Sequence, residues 1–264
     1  MGFRLNIAIL CGLVLLSACS SAEKVRSARQ EQATEFNQRA QHAFQRGEYQ
    51  AAADLYESAL QLHVAIENVD GIAVNSLNLA RTNQMLGKPV LAQRYLDLLL
   101  NDKALTYAKP HLAAAAVQKS LLRLQENDMV GATAWVEKAA GYCVSDCKIT
   151  GVIDNVRASI ALHASDADKV LYWGERAASA NRDEPLERAN ALRLLASARL
   201  MKGEADVALR LSEEALVIDK ALGLPEKIRQ DLLSAAQAHE KLGQLEQAAQ
   251  CRDRAARIAA TALK

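Results

Sequence analysis

Methyl-sized side chains recur along this chain at a period that calls for a stack of helical hairpins. Starting from Ala40, Ala52 and Ala59, spaced by twelve and seven residues, the same triplet returns as Ala80, Ala92, Leu99; Ser120, Ala132, Ala139; Ala158, Val170, Ala177; Ala196, Ala208, Ala215; and Ala236, Ala248, Ala255. Fifteen of these eighteen positions are alanine in a chain with fifty alanines among 264 residues, where chance gives three or four. Successive first-column residues lie 40, 40, 38, 38 and 40 apart. A fixed period of a few tens of residues marks a solenoid, in which each unit buries its apolar face only against its neighbours.

Seven residues after each first-column position stands a turn residue: Gly47, Gly87, Asn127, Ser165, Gly203 and Gly243. Gly and Asn tolerate the left-handed conformation that ends a helix, so Ser165 is the weakest of the set. Each unit therefore reads as helix, short turn, helix. The small columns mark where paired helices approach toward the close end of the usual range of about 8 to 10 Å. Pro110, Pro185 and Pro225 stand ten or eleven residues before the first column of units three, five and six. Pro89 opens the second helix of unit two, and proline is tolerated in a helix's first turn. Few glycines and little β-branched alternation predict an all-α chain.

The pattern resembles the tetratricopeptide repeat, which has small residues at its eighth, twentieth and twenty-seventh positions and a turn glycine between its helices. Unit one carries the resemblance best: AQHAFQRGEYQAAADLYESAL holds Gly47, Tyr49, Ala52, Tyr56 and Ala59 in family order. Unit six keeps Gly243, Ala248 and Ala255 but has Arg252 at the aromatic position. The spacing of 38 to 40 residues exceeds the family's period of about 34, so longer helices or loops must absorb the surplus. The closing proline of the family is absent, and unit four, with Val170 and Gly174, diverges most. The resemblance implies an all-α, right-handed α-solenoid of about six tetratricopeptide-like (TPR-like) hairpins, forming one superhelical domain over residues 33–264.

It also implies a concave groove lined by the first helix of each unit, which in this family binds a segment of another protein. The usual groove positions map onto Asn37 and Gln41, Asn78 and Arg81, Gln118, Asn155 and Ser159, Asn190, Arg193 and Ser197, and Gln237. Amides and hydroxyls pair with peptide backbone, and arginine pairs bidentately with carboxylate. A solvent-facing helix surface is polar for any reason, so the set competes with that plainer reading.

The first eighteen residues read as a secretory signal peptide. Arg4 is their only charge, Leu5 to Leu16 is mostly apolar, and Ser17 and Ala18 precede Cys19. That stretch falls short of the about 20 apolar residues a spanning helix needs. Leu16-Ser17-Ala18-Cys19 resembles the lipobox of bacterial lipoproteins. This second resemblance implies removal of residues 1–18, a diacylglycerol thioether on Cys19, and acylation, for example by palmitate, of its new amino group. Each buried methylene contributes about 0.8 kcal/mol, and two chains suffice for stable anchoring. Residues 19–32 are then a lipidated tether. Ser20, rather than Asp, implies the outer membrane, with the domain facing the periplasm.

Without Arg4, Lys plus Arg equal Asp plus Glu at thirty-one each, which gives no basic stripe for nucleic acid. An oxidising periplasm permits a bridge between Cys143 and Cys147 provided the chain turns at Gly141 and Ser145-Asp146; two free thiols are the alternative. Cys251 reads as a small buried apolar residue. His42, His63, His111, His163 and His239 form no pair at metal-ligand spacing and read as surface or half-buried residues. Trp135 and Trp173 read as packing residues of second helices. No nucleophile elbow or phosphate loop is visible, so neither catalysis nor a cofactor is expected. The expected function is a membrane-anchored scaffold binding another envelope protein, similar in architecture to secretin pilotins or to adaptors of cell-wall hydrolases. The alternative is a lipoprotein that binds a small molecule or cell-wall fragment beside a transporter or enzyme.

Overall fold

The computed structural model describes residues 27–143 and 147–261. The stretch read as a signal peptide, Cys19, the stretch read as a tether up to residue 26, and Ser145-Asp146 lie outside the described residues. Among the described residues there are twelve helices and no strand. They form hairpins α1 (Ala28–Gln45) with α2 (Tyr49–Ala65), α3 (Val69–Met85) with α4 (Pro89–Leu100), and α5 (Lys109–Gln125) with α6 (Met129–Tyr142). The series continues with α7 (Thr150–His163) and α8 (Ala167–Ala180), α9 (Pro185–Met201) and α10 (Ala205–Leu222), and α11 (Pro225–Lys241) and α12 (Leu245–Thr261). Helix α1 starts at Ala28, inside the stretch read as tether, with Ser27 capping it by accepting a hydrogen bond from the Gln30 amide.

The alanine columns are the hairpin crossings. All eighteen column residues are buried, none more than 3% exposed. The exceptional members explain themselves. Ser120 donates its hydroxyl to the carbonyl of Ala132, 2.7 Å away, so first and second columns touch. In unit four the register holds at Val170 and Ala177, both fully buried. Gly174 lies against Leu195, whose Cδ2 would be 2.8 Å from an added Cβ, so α9 fills the space that a larger side chain occupies in other units.

All six predicted turn residues adopt left-handed φ, from 56° at Ser165 to 79° at Gly47 and Gly203. In each turn the next amide reaches back five residues to a carbonyl, as Glu48 does to Ala43 and Asp166 to Ala161. This satisfies carbonyls left open at the helix end. The same geometry joins α2 to α3 through Glu67 and α10 to α11 through Gly223. All four prolines sit in the first turn of their helices.

From α3 onward, odd helices touch the next odd helix as well as their hairpin partners, whereas even helices meet chiefly their sequence neighbours. The odd helices thus occupy the inner radius. The surplus over a shorter repeat goes into helices of up to 18 residues and into the connections 101–108 and 143–149. In the second of these, Cys143 and Cys147 are joined by a disulfide, with Cα atoms 5.2 Å apart. Both tryptophans are half-buried against the core, with cations at their rings: Lys119 and Lys138 at Trp135, Arg157 and Arg176 at Trp173.

Candidate binding face

The inner face opens into two hollows of about 470 Å³ each. One lies between α7, α9 and α11 with α5 at its edge, and the other between α1 and α3 over the end of α2. Residues three or four apart on a helix share a face. Helix α7 thus presents Val152, Asn155, Val156 and Ser159 to the first hollow, and α9 presents Asn190, Arg193, Leu194 and Ser197. Helix α11 adds Lys227, Gln230 and Ser234.

A chain of polar contacts ties the three helices of the C-terminal hollow together. Asn155 donates its side-chain N–H groups to the Glu187 carbonyl at 2.9 Å and carboxylate at 3.0 Å, and Asn190 donates to the same carboxylate at 3.2 Å. The Asn190 oxygen accepts from Arg193 at 2.5 Å and from Lys227 at 3.1 Å. The Arg193 guanidinium then reaches two fully buried carboxylates, donating to Asp219 and, at 3.0 Å, to Asp231. Burial, together with neighbouring Arg193, pulls the Lys227 ammonium down from its ordinary value. Burial, resisted by Arg193, pushes the Asp231 carboxyl up to about 7. Ser159 and Ser197 donate to carbonyls one turn back on their own helices, leaving hydroxyl lone pairs available to a ligand. The result is a row of charged and amide groups beside the aliphatic strip of Val152, Val156 and Leu194.

The structure divides the predicted groove set. Asn155, Ser159, Asn190, Arg193 and Ser197 meet in the C-terminal hollow, and Asn37 and Gln41 in the N-terminal one. Asn78, Arg81, Gln118 and Gln237 line neither: Arg81 lies over the Phe44 ring at 4.9 Å, and Gln237 is exposed. Arg193, mapped as a groove cation, is held by the two aspartates and only 12% exposed. Lys227 and Gln230 line the hollow without having been among the mapped groove positions. They stand nine and six residues before Ala236, the offsets of Glu187 and Asn190 from Ala196, so the columns held the signal.

The N-terminal hollow has a different chemistry. His63, expected at or near the surface, is only 5% exposed, and burial lowers its pKa. Its ring packs on Gly71, where a Cβ would come within 2.2 Å of Nδ1. The His63 Nδ1 and the Asn37 Oδ1 are buried without a hydrogen-bond partner among the described residues. Asp70 stands 3.4 Å from the His111 ring at the exposed side. No group of three or more metal-ligating side chains occurs among the described residues, and no described helix is long and apolar enough to cross a membrane.

These hairpins and their inner-face hollows define the chain as a TPR-like α-solenoid. No protein-family model matches it, and no curated protein does. The likeness lies in solved structures. BtubC (BKLC) from P. vanneervenii is 17% identical with a TM-score of 0.58, over 89% of this chain and 92% of that one. The apo form of RapI is 14% identical with a TM-score of 0.61, over 88% and 67%. A Rap protein complexed with competence and sporulation factor is 15% identical with a TM-score of 0.61, over 86% and 65%. At such identities the likeness is one of fold.

Proposed function

We propose that this protein is a lipid-anchored scaffold of the bacterial envelope, without catalytic activity, whose C-terminal hollow holds a segment of another envelope protein. The observation that carries the reading is the convergence of α7, α9 and α11 on one concavity where an aliphatic strip runs beside fixed polar groups. Apolar seats flanked by a few placed hydrogen-bonding groups suit a protein segment, which supplies both side chains and backbone amides. The Rap structure with bound competence and sporulation factor supports it by showing a similar fold in complex with a factor. The Leu16-Ser17-Ala18-Cys19 stretch supports anchoring at Cys19, and Ser20 the outer membrane with the domain facing the periplasm. In that setting the protein assists an envelope assembly, in the manner of a secretin pilotin or a hydrolase adaptor.

The test is a photocrosslinking residue at Ser159 in the full-length chain in its native envelope, with Val217, exposed on α10, as the off-site control. An envelope protein captured at Ser159 and not at Val217 is the expected result. No adduct above the Val217 control overturns the reading. A Cys19→Ala chain should leave the membrane fraction and lose palmitate labelling; if it stays membrane-bound and labelled, the anchor lies elsewhere.

A further inference from the structure

Lys227 stands in the C-terminal hollow at a place where the fold disfavours a cation. It is the third residue of α11, and a positive charge in a helix's first turn opposes the helix dipole. It is half-buried, and it shares its acceptor with a second cation, since Arg193 and Lys227 both donate to the Asn190 amide oxygen. Burial and the nearby guanidinium both work against its charge. At the equivalent offset the other units carry Glu31, Gly71, His111, Ile149 and Glu187, so stacking the hairpins requires no cation there.

The anions around it are engaged elsewhere. Asp219 and Asp231 are fully buried and held by Arg193, and the Glu187 carboxylate accepts from Asn155 and Asn190. These three carboxylates act on Lys227 only through space; its hydrogen bond, among the described residues, is to a neutral amide. An ammonium carries three N–H donors, so two are left for solvent or a ligand. Because Lys227 lines the hollow, a ligand can reach them. Seven residues further along their helices, Ser234 on α11 and Leu194 on α9 line the same hollow, about 10 Å away at 1.5 Å of rise per residue.

We infer that the segment held in the C-terminal hollow carries an internal Asp or Glu whose carboxylate is received by Lys227, with an aliphatic side chain about 10 Å away on the strip of Val156 and Leu194. The inference rests on the segment-binding reading above and names the chemistry of that segment. A carboxylate gives the ammonium a Coulombic attraction that the Asn190 amide cannot supply, and it offsets the repulsion from Arg193. The aliphatic seat then fixes which way along the hollow the segment runs.

The experiment combines the Ser159 photocrosslinker, in the full-length chain in its native envelope, with substitutions at Lys227, and locates the adduct on the captured chain by mass spectrometry. Lys227→Gln keeps a donor for Asn190 while removing the charge, and adduct yield should fall about tenfold. Lys227→Glu should abolish the adduct, and replacing the acidic residue of the captured segment by lysine should restore it, which a chain that had merely failed to fold could not do. Undiminished yield with Lys227→Gln, an adduct on a stretch without Asp or Glu, or charge reversal that restores nothing overturns the inference and leaves the segment-binding reading standing. No adduct above the Val217 control when Lys227 is intact overturns both.

Discussion

Replacing Asp231 by asparagine should make the protein more stable in alkali, with a gain that shrinks as the pH falls and vanishes near pH 4. Asp231 is fully buried, 3.0 Å from Arg193, and the same guanidinium also serves buried Asp219. Burial lifts the Asp231 carboxyl from 3.8 to about 7. Below pH 3.8 folded and unfolded chains both hold its proton. Between 3.8 and about 7 only the folded chain does, so stability falls as pH rises and the loss is complete above 7. The window spans about three pH units, which at 1.36 kcal/mol per unit sets a ceiling of roughly 4 kcal/mol. The carboxamide introduced by Asp231→Asn mimics the protonated acid: its oxygen still accepts from Arg193, and it never ionises. Urea unfolding of both chains, followed by circular dichroism at pH 5 and pH 8, reads the difference directly, since every other titrating group is common to both. The asparagine variant should gain at pH 8 relative to pH 5. An equal difference at the two pH values would refute the assignment of a raised carboxyl to Asp231.

Other perturbations test the rest of the frame. Ala208→Leu places a larger side chain in a fully buried crossing and should cost about 1 to 3 kcal/mol, read as a lower melting temperature; an unchanged melt would mean the column is not a close contact. Arg193→Met strands Asp219 and Asp231 as buried carboxylates and should cost about 3 to 5 kcal/mol at pH 8, most of it recovered by adding Asp219→Asn and Asp231→Asn. The Cys143–Cys147 bridge closes a loop of only four residues' separation, so replacing both cysteines by serine should lower stability by no more than about 2 kcal/mol, measured by denaturant melts with and without reductant.

The hairpin stack was legible because it rests on sterics that repeat. A crossing that admits only a small side chain must write the same residue type at the same offset each time, and the columns at Ala52, Ala92, Ala132, Ala208 and Ala248 do so. Left-handed turns were legible for the same reason, down to Ser165. Glu67 was not: glutamate carries no preference for φ of 49°, and hydrogen bonding at the α2 end imposes it. Partnerships across the inner face were less legible still. Arg193 meets Asp231 from 38 residues away, and nothing in either residue's neighbourhood announces the other. His63 disappears from the surface because residue 71 is glycine, a dependence between two helices that no single-helix pattern encodes.

The columns also determine where chemistry can be placed. At a crossing a polar group finds only the partner helix's backbone, as the Ser120 hydroxyl does at Ala132, so no ligand can reach it. The inner faces differ along the stack: neutral amides between α1 and α3, charges beside aliphatic side chains between α7, α9 and α11. A solenoid couples mainly neighbouring units, so the hollow of units one and two and the hollow centred on units four to six should respond to substitution independently. Asn37→Ala should therefore leave crosslinking at Ser159 untouched, and a photocrosslinker at Ser159 should leave the imidazole NMR signal of His63 where it is. A change in either would mean that the two hollows are ends of one continuous site filled by a single ligand, and the separate chemistries argued for them would have to be merged.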